Sequence, residues 1–130
     1  MNLVYHSTRN SEETATASEA ILKGLTSDGG LFVPDSIPKL NVSLEDLTKM
    51  SYQEIAYAVM KEFLTDFTEE ELKHCINSAY DKKFDTESIA ELVKKEDAYY
   101  LELFHGATIA FKDMALSILP YLMITSAKKN

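Results

Sequence analysis

The chain has 130 residues, 45% hydrophobic and 26% charged, with a formal net charge of −8. That length is one domain by the usual prior, able to bury roughly two-thirds of its unfolded surface, and the composition is globular rather than disordered. The acidic balance argues against nucleic acid as a partner, since a phosphate backbone demands a basic surface. A single cysteine, Cys75, allows no intramolecular disulfide, and no basic region followed by an apolar core opens the chain. The longest apolar helical run, near Met114 to Ile124, contains Pro120 and is far short of the about 20 residues a membrane span needs. The chain therefore reads as cytoplasmic, with no membrane partner.

In chain order, Leu3 to Ser7 is a short strand candidate. Arg9, the only arginine, can receive a carboxylate or phosphate in bidentate fashion; the plainer reading is a structural salt bridge at a strand end. Ser11 to Thr14 is a polar loop. Thr16-x-x-Glu19 fits a capping box, and Ala17, Ala20, Ile21, Leu22 and Leu25 follow at helical spacing. Ser27-Asp28-Gly29-Gly30 is expected to stop that helix, and Leu31-Phe32-Val33 to form a short strand ended by Pro34. The glycine pair lacks any GxGxxG or Walker context and reads as a structural turn.

Pro34 to Leu40 is a connecting loop. Ser43-x-x-Asp46 opens a short helix and Ser51-x-x-Glu54 a longer one. In the longer helix Tyr52, Ile55, Ala56, Val59, Met60, Phe63 and Leu64 form an apolar stripe for packing. Thr68-x-x-Glu71 repeats the capping pattern, with Leu72, Cys75, Ile76, Ala79 and Tyr80 as the inner face. His74 and Cys75 are adjacent and point apart, so they make no metal site; Cys75 reads as a small core residue. Asp81 to Ser88 is a polar surface connection, and Ile89 to Lys95 a turn or short helix.

Tyr99 to Phe104 is aromatic and aliphatic, as a pleated strand requires. His105-Gly106 breaks it, and Thr108 is placed to cap a helix starting near Ala110. Pro120 should kink or end that helix, which Tyr121 to Lys129 can resume. Lys112 falls in its first turn with Ile109, Ala110, Phe111, Met114, Ala115 and Leu116 around it. Desolvation and the positive end of a helix dipole both favour the neutral amine, the form that makes Schiff bases. Most lysines in helix first turns are nonetheless solvated and inert, so spacing alone does not establish a catalytic Lys112.

Glu102-Leu-Phe-His-Gly-Ala-Thr-Ile-Ala-Phe-Lys-Asp113 closely resembles the segment around the cofactor lysine of the threonine synthase family, pyridoxal-phosphate enzymes of fold type II with the pattern ELFHGPT-x-AFKD. Tyr5-His-Ser-Thr-Arg9 and Ser27-Asp-Gly-Gly-Leu-Phe-Val-Pro34 resemble the N-terminal signatures of that family, in the same order. Ala107 stands where the family pattern has proline, which loosens the turn but removes no chemical group.

The resemblance implies an α+β, helix-dominated N-terminal domain with a small sheet of short strands, part of a larger fold type II enzyme. On that basis residues 1–98 are the N-terminal domain and 99–130 the start of the cofactor-binding catalytic domain. Lys112 is the implied catalytic residue and covalent anchor of pyridoxal 5'-phosphate, with Phe111 and Asp113 as positioning neighbours in the cofactor site and no metal. For His105 a turn residue bonded to backbone and a proton relay stay open, and Thr108 lies close enough to face the pocket. The implied reaction takes O-phospho-L-homoserine and water to L-threonine and phosphate.

A cofactor phosphate needs a glycine-rich loop or a helix N-terminus. No such loop follows Lys112, so the site is incomplete. The extent of the family it resembles implies an N-terminal part of a longer enzyme, expected to be inactive alone and to bind the cofactor weakly if at all. An amputated domain would expose apolar surface and self-associate. An acidic helical interaction module and a catalytically dead relative are the competing readings.

Overall fold

The computed structural model describes residues 2–10 and 12–130. Its elements are β1 (Tyr5–Ser7), β2 (Thr14–Ala15), α1 (Ala17–Lys23), β3 (Phe32–Pro34), α2 (Leu44–Leu47), α3 (Tyr52–Phe63), α4 (Glu69–Ala79), β4 (Glu91–Lys95), β5 (Ala98–Glu102), α5 (Asp113–Leu116) and α6 (Leu119–Lys129). The class is α+β and helix-dominated, as expected. Ser11, part of the expected polar loop, lies outside the described residues.

Helix starts follow the capping chemistry. Thr16, Ser51 and Thr68 each accept the backbone N–H three residues on, while Glu19, Glu54 and Glu71 return a bond to the cap backbone. Ser43 caps α2 in the one-sided form, accepting from the N–H of Asp46. Each cap satisfies donors that the first turn leaves orphaned. The expected end of α1 at residues 27–30 is corrected: the helix stops at Lys23, and Gly24 takes the positive φ of 71° that ends it. Leu25 therefore leaves the helical face and forms an isolated antiparallel bridge with Leu31.

α4 is the central element. Leu72, Cys75, Ile76 and Ala79 are buried to 1% exposure or less, with Tyr80 just beyond. This face packs against α3 through Tyr52, Ala56, Tyr57 and Met60, and against α6 through Ile118 and Leu122. Burial raises the pKa of the Cys75 thiol, whose sulfur lies 3.4 Å from Thr125 Oγ1, so the group stays protonated and inert. α6 crosses α1, where Ser18 and Ser126 are both buried and small enough for close approach.

A three-stranded antiparallel sheet of order β2-β1-β3 lies to one side. The Tyr5 hydroxyl donates to the Phe63 carbonyl (2.9 Å) and the Leu3 N–H to Thr65 Oγ1 (2.8 Å), tying the sheet to the end of α3. Thr14 pairs with His6 in β2, so the loop expected through Thr14 ends in a strand.

β4 and β5 form a separate antiparallel hairpin turning at Glu96-Asp97, with Glu91 opposite Glu102 and Lys95 opposite Ala98. The turn or helix expected over 89–95 is corrected to a strand: Glu91–Lys95 finds its partner in Ala98–Glu102, a pairing its mixed charge pattern hid. The division at 98/99 passes through this hairpin. The last helix is also revised. It breaks into α5 and α6, and Pro120 sits in the first turn of α6, where its missing N–H costs nothing.

Ile76→Ala should lower unfolding free energy by about 2–5 kcal/mol, the range for truncating a buried aliphatic residue. Leu44→Ala, at a position 83% exposed, should stay within about 0.5 kcal/mol of the parent. Urea denaturation of the two variants beside the parent measures both.

Candidate active site

Between β5 and α5 the chain makes the connection that presents Lys112. Asp113 anchors it. Its side chain is 5% exposed; Oδ2 accepts the Thr108 N–H (2.7 Å) and Oδ1 accepts the Thr108 hydroxyl (2.6 Å). These bonds, the hydroxyl first and the N–H second, hold the carboxyl below its ordinary pKa. Gly106 lies against the same carboxylate. A Cβ there would sit 2.5 Å from Asp113 Cβ and 2.6 Å from Oδ2, so no other residue fits without movement.

Thr108 was expected to cap a helix beginning near Ala110. Instead its donors go to Asp113, and α5 begins only at Asp113 and lasts four residues. Ile109 is left at φ 59°, a strained conformation for a β-branched residue. Its N–H donates to the Gly106 carbonyl (3.0 Å). The Lys112 carbonyl then accepts from Ala115 (3.0 Å) and Leu116 (2.8 Å), which opens α5.

The Lys112 side chain is exposed, and among the described residues its Nζ makes no hydrogen bond or ion pair. The apolar enclosure expected around it is not supplied here. Ile109, Phe111 and Leu116 are 75%, 67% and 53% exposed, because the core-facing positions of this stretch are Asp113, Met114 and Ile118. A four-residue helix also offers little macrodipole. Lys112 is therefore an accessible amine on a pinned backbone, in a stretch whose apolar side chains are largely exposed.

Two further contacts fix this connection. The buried Tyr80 hydroxyl donates to the Met114 carbonyl (2.6 Å), joining the end of α4 to α5. His105 is bonded to carboxylates through both ring nitrogens, Nδ1 to Asp85 and Nε2 to Glu102 (2.9 Å). Its ring is thus bonded to carboxylates, not to backbone. Glu91, opposite Glu102, brings a third carboxylate, and ligand-type atoms of Glu91, Glu102 and His105 lie within 4.8 Å of one another.

Arg9 lies apart from this region. Its guanidinium donates to the Asp28 carbonyl (3.0 Å), bracing a turn in which the Asp28 carboxylate accepts from Ser7, Thr26 and the Gly30 N–H. Arg9 thus braces the turn through a carbonyl rather than the salt bridge read from sequence. Sequence reasoning missed Tyr80, Asp85 and Glu91. Each reaches the site only through tertiary contact, and no local pattern carried that information.

The family profile described as "Threonine synthase N terminus" matches residues 4–80, more than half of the chain. The chain belongs to the threonine synthase family. Threonine synthase of Saccharomyces cerevisiae is 40% identical over 123 residues, covering 87% of this chain and 24% of that protein. The fold agrees with solved threonine synthases. The yeast structure superposes with a TM-score of 0.87 at 35% identity over 97% of this chain and 26% of that one. The pyridoxal-phosphate-bound enzyme of Brucella melitensis gives 0.86 at 32% identity over 98% and 28%. The chain spans about a quarter of the length of the curated relatives it matches.

Opposite effects are expected from two substitutions in this connection. Gly106→Ala should destabilise by about 1–3 kcal/mol through overpacking against Asp113. Ile109→Gly, which relieves a left-handed β-branched residue without losing much burial, should be neutral or stabilising by up to about 1 kcal/mol. Chemical denaturation of the two variants distinguishes them.

Proposed function

We propose that this chain is the N-terminal part of a pyridoxal-phosphate-dependent threonine synthase that converts O-phospho-L-homoserine and water to L-threonine and phosphate, with Lys112 as the residue that carries the cofactor. The observation that carries this reading is the position of Lys112 within the Glu102–Asp113 motif: an exposed, unpaired amine on a connection held by Asp113 and Thr108. Membership of the family and the agreement with a cofactor-bound relative support it.

The exposed amine of Lys112 fits covalent attachment of the cofactor. Attachment to an aldehyde requires an approachable amine, and Lys112 offers one. When bound, pyridoxal phosphate supplies an electron sink that stabilises negative charge at the substrate α-carbon. Lys112 Nζ, once free of the cofactor, serves as the general base that takes the α-proton. Net chemistry then requires loss of a proton from Cβ and of phosphate from Cγ, and gain of a proton at Cγ. The hydroxyl of water adds at Cβ, the other water proton leaving with the phosphate. Phe111, exposed beside Lys112, offers an apolar face to the cofactor site. Asp113 works from below, through the turn, because both its oxygens are committed to Thr108.

In this reading residues 1–98 are the N-terminal domain and residues 99–130 open the catalytic domain, the two sharing the β4–β5 hairpin. The substrate in this reading is a small anionic amino acid; the net charge of −8 disfavours nucleic acid as a partner. A lone buried thiol suits a reducing cytoplasm, and no described helix is long and apolar enough to cross a membrane. The exposed Leu92, Tyr100, Leu101 and Phe104 of the hairpin region would drive self-association of the isolated chain.

In the gene product that carries this chain, Lys112→Ala should lower phosphate release from O-phospho-L-homoserine by at least about 10²–10⁴-fold, the scale of a lost acid–base group. The 130-residue chain alone should release no phosphate and bind the cofactor weakly. A stoichiometric visible absorbance change on mixing this chain with pyridoxal phosphate, abolished by Lys112→Ala, would overturn that second expectation. Undiminished turnover by the longer variant would overturn the first.

A further inference from the structure

We propose that His105 is a positioning residue: as an imidazolium clamped between Asp85 and Glu102, it ties the end of β5 to the loop 81–90 and so holds the turn that presents Lys112. Its bearing on catalysis rests on the reading of Lys112 above; the clamp itself does not.

The geometry is a closed link. The Asp85 N–H donates to the His105 carbonyl (3.1 Å), while His105 Nδ1 donates back to the Asp85 carboxylate. The other ring nitrogen, Nε2, donates to Glu102 Oε2 at 2.9 Å. Phe104 stacks on the ring with centroids 4.7 Å apart, and the His105 side chain is only 13% exposed. A neutral imidazole has one N–H and can donate to one carboxylate only; its second nitrogen would then set a lone pair against the other. Both bonds exist together only in the cation.

Charge balance argues the same way. Glu91 on β4 and Glu102 on β5 are direct cross-strand partners, a like-charge arrangement that weakens a hairpin. Asp85 adds a third negative group from the neighbouring loop, where Lys82 and Glu87 also line the cavity beside it. No lysine or arginine pairs with Asp85, Glu91 or Glu102 among the described residues. The imidazolium is the cation that answers them. Glu102 first and Asp85 second raise its pKa above the ordinary histidine value.

The sign follows from that raised value. The clamp's contribution is complete below the unfolded histidine pKa of about 6.5 and is lost as pH rises through the higher folded one. Gly106, next in the chain, packs on Asp113, so loss of the clamp reaches the Lys112 turn within a few residues.

Proton NMR of the 130-residue chain across neutral pH tests this. The His105 ring should titrate above about 6.5, and the Asp85 and Gly106–Ile109 amide signals should move with the same midpoint. Glu102→Gln and Asp85→Asn, each retaining a neutral hydrogen-bonding group, should each lower that midpoint; His105→Gln should abolish the shared transition. A midpoint at or below the ordinary value, or amide signals that ignore it, would overturn the clamp. So would one equivalent of Zn²⁺ displacing the ring resonances, since the imidazole would then be a metal ligand. If the clamp holds here while the longer protein tolerates Lys112→Ala, the clamp stands and the catalytic reading falls.

Discussion

Taking the Asp113 carboxylate out of water carries a desolvation cost that the stretch from His105 to Lys112 is shaped to offset. Two donors of one residue, the N–H and hydroxyl of Thr108, satisfy its two oxygens. Drawing Thr108 back onto Asp113 forces the intervening chain into a short, tight path. Ile109 takes a left-handed conformation on that path, and Gly106 has to do without a side chain so that the backbone can lie on the carboxylate. The direction of the Lys112 backbone is the product of those constraints. On the proposed reading, a lysine carried on a flexible loop would forfeit the orientation that a covalently held cofactor demands.

The helical body turns this local arrangement into a fixed one. α4 is buried along Leu72, Cys75, Ile76 and Ala79, and its end delivers the Tyr80 hydroxyl to the Met114 carbonyl. Tyr80 is itself packed edge-on to Tyr52 with centroids 4.9 Å apart, so α3 also determines where that hydroxyl sits. Burial raises the pKa of the Tyr80 phenol strongly, and it remains a donor throughout the working pH range. The connection is therefore held at α5 by Tyr80, at Thr108 by Asp113, and at the end of β5 by His105. Three separate hydrogen-bonded ties act on fewer than a dozen residues.

Legibility in the sequence followed the range of the interactions. Capping boxes at Thr16, Ser51 and Thr68 join residues three apart, and all three appeared where the pattern placed them. The inner face of α4 was equally readable, because its apolar residues recur with the helical period. Strand Glu91–Lys95 was not: its Glu-Leu-Val-Lys-Lys pattern acquires meaning only beside Ala98–Glu102. Thr108 resembles an N-cap in every local respect, yet its N–H and hydroxyl donate to a buried carboxylate five residues on, and the helix starts only at that residue. Lys112 is singled out by motif alone, and its exposure is not legible, because apolar neighbours in sequence say nothing of whether a core remains for them to fill.

That exposure bears on how the proposed chemistry would be assembled. A nucleophilic lysine has two needs in tension, access for an incoming carbonyl and exclusion of water once it has reacted. The described residues meet the first through an unpaired amine on a rigid turn. Ile109, Phe111 and Leu116, within four residues of it in the chain, are exposed apolar side chains, a surface that gains free energy only when something covers it. A covering layer over those three would, on the proposed reading, also exclude water from the neighbouring Lys112, so the same contact would seal the site. On the proposed reading this chain contributes orientation, and desolvation arises from whatever packs over its apolar rim.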